Sequence, residues 1–151
     1  MAKFRFKLEA LLEHRQMIEK EKQRRVAQIQ QEIQVIQRQI QDAQVRIAME
    51  NRTLGTKELT GRLDMSYIAT EKKYVGNLQL KIIYAVQRIA EIEKTLAAAR
   101  GELLAAAKAR KVIEKLKEKQ LARWRGEQEM KEAAMMDEIG TQVAVRALSQ
   151  S

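Results

Sequence analysis

From Leu11 onward, apolar side chains recur at Ile18, Val26, Ile29, Ile33, Ile36, Ile40, Ala43, Ile47 and Leu54, with alternating three- and four-residue steps from Val26 to Ile47. That spacing returns an apolar residue to the same face of a helix on every turn, which is the seam of a coiled coil. The step from Ile18 to Ile29 is eleven residues, so the repeat stutters and should unwind locally near Lys22 and Arg25. A second seam is more regular. It runs Val75, Leu78, Ile82, Ala85, Ile89, Ile92, Leu96, Ala99, Leu103, Ala106, Arg110 and Ile113, and continues through Lys117 and Gln120 to Trp124.

Between the seams lie Gly55, Thr56, Thr60 and Gly61, a local cluster of helix-breaking and capping residues, with Asp64 placed to cap the helix that follows. Each seam alone would expose a stripe of Ile and Leu to water. A short connection makes the two helices antiparallel neighbours, and each buries its stripe on the other. The expected fold is therefore all-α, two long helices forming an antiparallel coiled-coil hairpin. One domain is expected over residues 1–140, with a helix over about 4–54, a turn over about 55–64 and a helix over about 65–138. Residues 62–74 could alternatively form a separate short helix. The second helix is longer by about a third and should overhang near the chain ends. Residues 141–151 lack periodicity and are expected to be a flexible tail.

Composition sharpens this picture. The chain has 151 residues with no proline, no cysteine and 4% aromatic residues, so nothing interrupts a long helix and little is available for a thick core. The absence of cysteine removes disulfides, thiolate metal sites and cysteine nucleophiles, and suits the cytoplasm. Glu9, Glu13 and His14 break the apolar run at the start, which is read as neither a signal peptide nor a membrane span. Eight glutamines between Gln28 and Gln44 read as a solvated helix face, and the alanines between Thr95 and Ala109 as high helix propensity.

The net charge of +9 is unevenly placed. Residues 3–25 carry eight basic and four acidic side chains, and residues 108–125 carry eight basic against Glu114 and Glu118. Residues 126–151 carry two basic and five acidic side chains. A hairpin brings both basic segments to its open end, next to an acidic extension, and such a collar attracts an acidic partner. Arg110 and Lys117 fall on seam positions and are expected to loosen the pairing there. Without interleaved aromatic residues or a base-reading motif, the cations would give nucleic acid only non-specific attraction, and none is expected as a partner.

Catalytic chemistry finds few candidates. His14 is the only histidine, the six glycines form neither a phosphate loop nor a dinucleotide fingerprint, and Glu91 and Glu93 point to different helix faces. No enzymatic activity, cofactor or metal is expected. Trp124 ends the second seam between Arg123 and Arg125, where its ring caps the core or anchors a partner. Tyr67, Tyr74 and Tyr84 cluster near the turn as a second contact site or as support for it.

The opening FRFKLEALLEHR and the later RKVIEKLKEKQLARWRGEQEMKEAAMMDEIG resemble the FliJ family, small coiled-coil components of the bacterial flagellar type III export apparatus. The order Arg110, Lys111, Glu114, Lys115, Leu116, Lys117, then Trp124, then Asp137 and Glu138, is more than a heptad dictates, and the likeness covers nearly the whole chain. The resemblance implies a stalk like the central shaft of rotary ATPases. Its end bearing both termini would enter the hexameric flagellar export ATPase, and the rest would contact the cytoplasmic domain of the export gate and the export chaperones. On that basis Lys3, Arg5, Lys7, Arg110, Lys111, Lys115, Lys119, Arg123, Trp124 and Arg125 would meet the ATPase, and Gln37, Gln41, Tyr74 and Tyr84 the gate. The expected location is cytoplasmic, peripherally associated with the inner face of the membrane at the flagellar base and without direct insertion. Alternatives are a structural coiled-coil spacer or a basic coil binding nucleic acid non-specifically.

Overall fold

A computed structural model describes residues 2–59 and 64–150. It contains two helices, α1 (Glu9–Leu59) and α2 (Met65–Ser149), packed against each other, and no strand among the described residues. The chain divides into two compact units, one made of residues 1–19 with 105–151 and the other of residues 20–104. The division on α1 falls within the eleven-residue step between Ile18 and Ile29, where the heptad repeat stutters.

In the unit of residues 20–104, the core is the predicted seam. Val26, Ile29 and Ile33 of α1 pack with Ile92, Leu96 and Ala99 of α2, flanked by Ile36, Ile89 and Leu103. Residue numbers rise along α1 as they fall along α2: Lys22 Nζ lies 3.0 Å from Glu102 Oε2, and Arg46 Nη1 donates to Tyr74 Oη at 3.2 Å. The helices of this unit are therefore antiparallel. Both polar contacts are exposed and fix register more than they add stability. Leu54, Val75 and Leu78 are also buried.

The start of α2 follows the cap foreseen at Asp64. Its side-chain Oδ1 accepts from the Ser66 backbone N–H at 3.0 Å, and its carbonyl accepts the first helical bond from Ile68. Residues 65–74 belong to α2 itself, so no separate short helix forms there. By contrast, α1 does not stop at Leu54. It continues through Gly55 and Thr56 to Leu59, with the hydroxyls of Thr53 and Thr56 donating back to the carbonyls of Met49 and Arg52 at 3.0 Å, a pattern that a helix accommodates. The expected turn residues Thr60 and Gly61 lie outside the described residues.

In the unit of residues 1–19 and 105–151, Phe6, Leu12 and Ile113 form the buried cluster, with Phe4 and Leu11 packed against it. The Phe4 ring lies 6.0 Å from that of Trp124, tilted by 52°. Here too the helices are antiparallel, since Glu19 pairs with Arg110 and Glu9 with Lys117.

Two expectations change in this unit. Residues 2–6 are not helical, and α1 begins at Glu9 rather than near residue 4. The segment Lys3-Phe4-Arg5-Phe6-Lys7 alternates charged and apolar residues, and an extended chain puts such alternating side chains on opposite sides. The cations are exposed while Phe4 is half-buried and Phe6 buried. The second change is at the far end: residues 141–149 are not a flexible tail but continue α2 through Ser149, with Thr141 Oγ1 bonded to the Asp137 carbonyl at 2.9 Å. Ala144, Ala147 and Leu148 favour helix on propensity alone, and no proline intervenes.

Candidate partner-binding surfaces

The first surface belongs to the unit of residues 1–19 and 105–151. Along α2, Lys111, Lys115, Lys119 and Arg123 follow one another at four-residue intervals, so their side chains lie on one face as a cationic stripe. All four are exposed, as are Arg125 and, on the non-helical segment before α1, Lys3, Arg5 and Lys7. Like charges four residues apart repel, so the stripe costs the helix some stability rather than supporting it. None of these eight cations is in an ion pair among the described residues.

The cations on the seam behave differently. Arg110 is half-buried; its Nη1 donates to Glu114 Oε2 at 2.6 Å, and its Nε donates to Glu19 on α1. The hydrogen bond it donates to Glu114, and then that to Glu19, raises its pKa above the ordinary arginine value. Lys117 Nζ lies 2.8 Å from Glu9 Oε2. The loosening expected at these two seam positions is thus met by carboxylates of α1, which neutralise the misplaced charge and join the helices. Arg110 is occupied within the unit, whereas the stripe faces water. Trp124 is half-buried against Phe4, which suits the core-capping role, one of the two weighed for it.

The second surface belongs to the unit of residues 20–104. A groove of about 950 Å³ opens where Ile36, Ile40 and Ala43 of α1 face Leu78, Ile82 and Ala85 of α2. Of these only Leu78 is buried, and the two alanines are too short to fill the seam. Arg46, Lys81 and Arg88 line the groove against one acid, Asp42. Tyr84, 64% exposed, also lines it. Tyr74 joins it through its bond from Arg46, whose pKa that bond raises. Gln37 and Gln41 are exposed but do not line the groove, while Gln39 does. The sequence reading missed this groove; its signal was the pair Ala43 and Ala85, short side chains on the seams of the two helices.

Among the described residues no group of His, Asp or Glu is placed to hold a metal, and no helix is long and apolar enough to cross a membrane. Among the described residues neither surface presents a paired acid and base or an activated nucleophile. No curated protein and no solved structure matches the chain. The family model described as flagellar FliJ protein matches residues 4–149, which include the basic segment before α1, both seams and the cationic stripe; the chain belongs to the FliJ family and is a component of the flagellar export apparatus.

Proposed function

We propose that the chain is a non-enzymatic, stalk-like coupling protein of flagellar export that binds the hexameric export ATPase through its basic surface. The observation that carries this reading is the stripe of Lys111, Lys115, Lys119 and Arg123, joined in one unit by Lys3, Arg5 and Lys7, all exposed and outside any ion pair among the described residues. A cationic face held at a cost to its own helix is suited to an acidic partner, and it steers capture over a Debye length. Arg110 and Lys117 then serve to hold the two helices together beneath that face.

The groove of the other unit is the second contact. Its apolar floor and its arginine and lysine lining fit the cytoplasmic domain of the export gate, with Tyr84 and Tyr74 beside it and Gln37 and Gln41 on the neighbouring exposed face of α1. Export chaperones are a further partner class on the family's account. The place of action is the cytoplasmic face of the membrane at the flagellar base, reached through these partners.

Co-purification from the native cell tests the reading. The wild-type chain should recover the export ATPase, and the variant Lys115→Glu, Lys119→Glu, Arg123→Glu should lose it while keeping its helical circular dichroism. Undiminished recovery by the reversed variant would exclude the stripe as the contact. Recovery of nucleic acid in place of the ATPase, released by generic polyanion, would favour the non-specific coil.

A further inference from the structure

The last stretch of α2 carries a seam that nothing in its own unit covers. Every described residue from Glu129 to Gln150 is exposed, yet Glu132, Met136, Ile139, Val143 and Arg146 succeed one another at steps of four, three, four and three. That is two heptads on one helix face. Its centre is apolar, with Met136 70%, Ile139 50% and Val143 60% exposed. Its two ends are opposite charges, and neither Glu132 nor Arg146 is in an ion pair among the described residues.

The geometry points to a second copy of this chain as the occupant of that face, paired antiparallel about a two-fold axis near Ile139. Glu132 and Arg146 each lie seven residues from Ile139, on opposite sides of it. An antiparallel pair with Ile139 on the axis therefore sets each copy's Glu132 against the other's Arg146, twice, and brings Met136 of one copy beside Val143 of the other. A symmetric interface requires this kind of self-complementarity, in which residue i meets residue j and j meets i. A parallel pair would instead set Glu132 on Glu132 and Arg146 on Arg146, like charge on like. Gly140 adjoins the axis with no side chain, and its backbone is open on the outer face. The pairing is independent of the basic stripe and of any ATPase.

Sedimentation equilibrium of the full chain, from micromolar to sub-millimolar concentration, should show a reversible rise from one chain to two. Ile139→Asp should abolish the rise without changing helicity, since the side chain is exposed in the single chain. Arg146→Glu should weaken association on the order of tenfold, and the exchange Glu132→Arg with Arg146→Glu should restore it. Because the chain has no cysteine, direction is read directly. A mixture of Glu132→Cys and Arg146→Cys chains should form the mixed disulfide in preference to either like pair. A mass that stays at one chain throughout, a dimer that survives Ile139→Asp, or cross-links only between like positions would each overturn the proposal.

Discussion

Ile29, at 1% exposure, is the described side chain most completely removed from water, and it sits at the middle of the Val26–Ile33 seam. Truncating it leaves both lost transfer energy and a cavity that two rigid helices refill poorly. Ile29→Ala should therefore cost roughly 2–5 kcal/mol in urea unfolding, against less than about 0.5 kcal/mol for Met17→Ala, whose side chain is 61% exposed. Arg110 makes a different case, because its pairing with Glu114 and Glu19 raises its pKa. A cation with a raised folded-state pKa contributes its full stabilisation below its unfolded value and loses it only as pH climbs through the folded value. The stability difference between the wild type and Arg110→Met should stay flat from about pH 7 to about pH 11 and fall only above that. A difference that declined near neutrality would assign the effect to another group.

At the scale of elements, the α2 cap and one helical glycine with open space beside it give separable tests. Asp64→Ala removes the acceptor of the Ser66 N–H and should cost about 0.5–2 kcal/mol, read as a lower thermal midpoint. Gly101→Ala should raise the midpoint, by up to about 1 kcal/mol in stability, because a Cβ there meets nothing within 4 Å and the helix gains propensity. The elements themselves were legible wherever periodicity carried the signal: Val26 to Ile33 and Ile92 to Ala99 are the core, and among the alanines in Thr95–Ala109 only Ala99 and Ala106, seven apart on the seam, are buried. Their ends were less legible, since a single glycine weakens a helix without ending it: α1 runs past Gly55 to Leu59 and α2 past Gly140 to Ser149. The non-helical start was readable in Lys3-Phe4-Arg5-Phe6-Lys7, but the heptad drawn from Leu11 hid its two-residue alternation. The groove was the hardest feature to foresee, because a heptad written on one helix does not show that Ala43 and Ala85 will share one hollow.

For the molecule as a whole, the two candidate contact surfaces lie in different units. The exposed cationic stripe lies with Lys3, Arg5 and Lys7 in one unit, and the apolar groove with its Arg46, Lys81 and Arg88 lining lies in the other. A chain offering two contact surfaces of different chemistry, with no constellation suited to catalysis, fits a coupling role between partners in flagellar export better than a plain spacer, which needs neither. The proposed role would also account for the eight exposed cations that lie outside ion pairs among the described residues, while Arg110 and Lys117 are paired with carboxylates within the fold. The most direct test is the ATP hydrolysis rate of the purified flagellar export ATPase titrated with the full-length chain at low and at high salt. The rate should rise with added chain at low salt and lose that rise as salt increases. A rate indifferent to the chain at every concentration and salt would contradict the assignment.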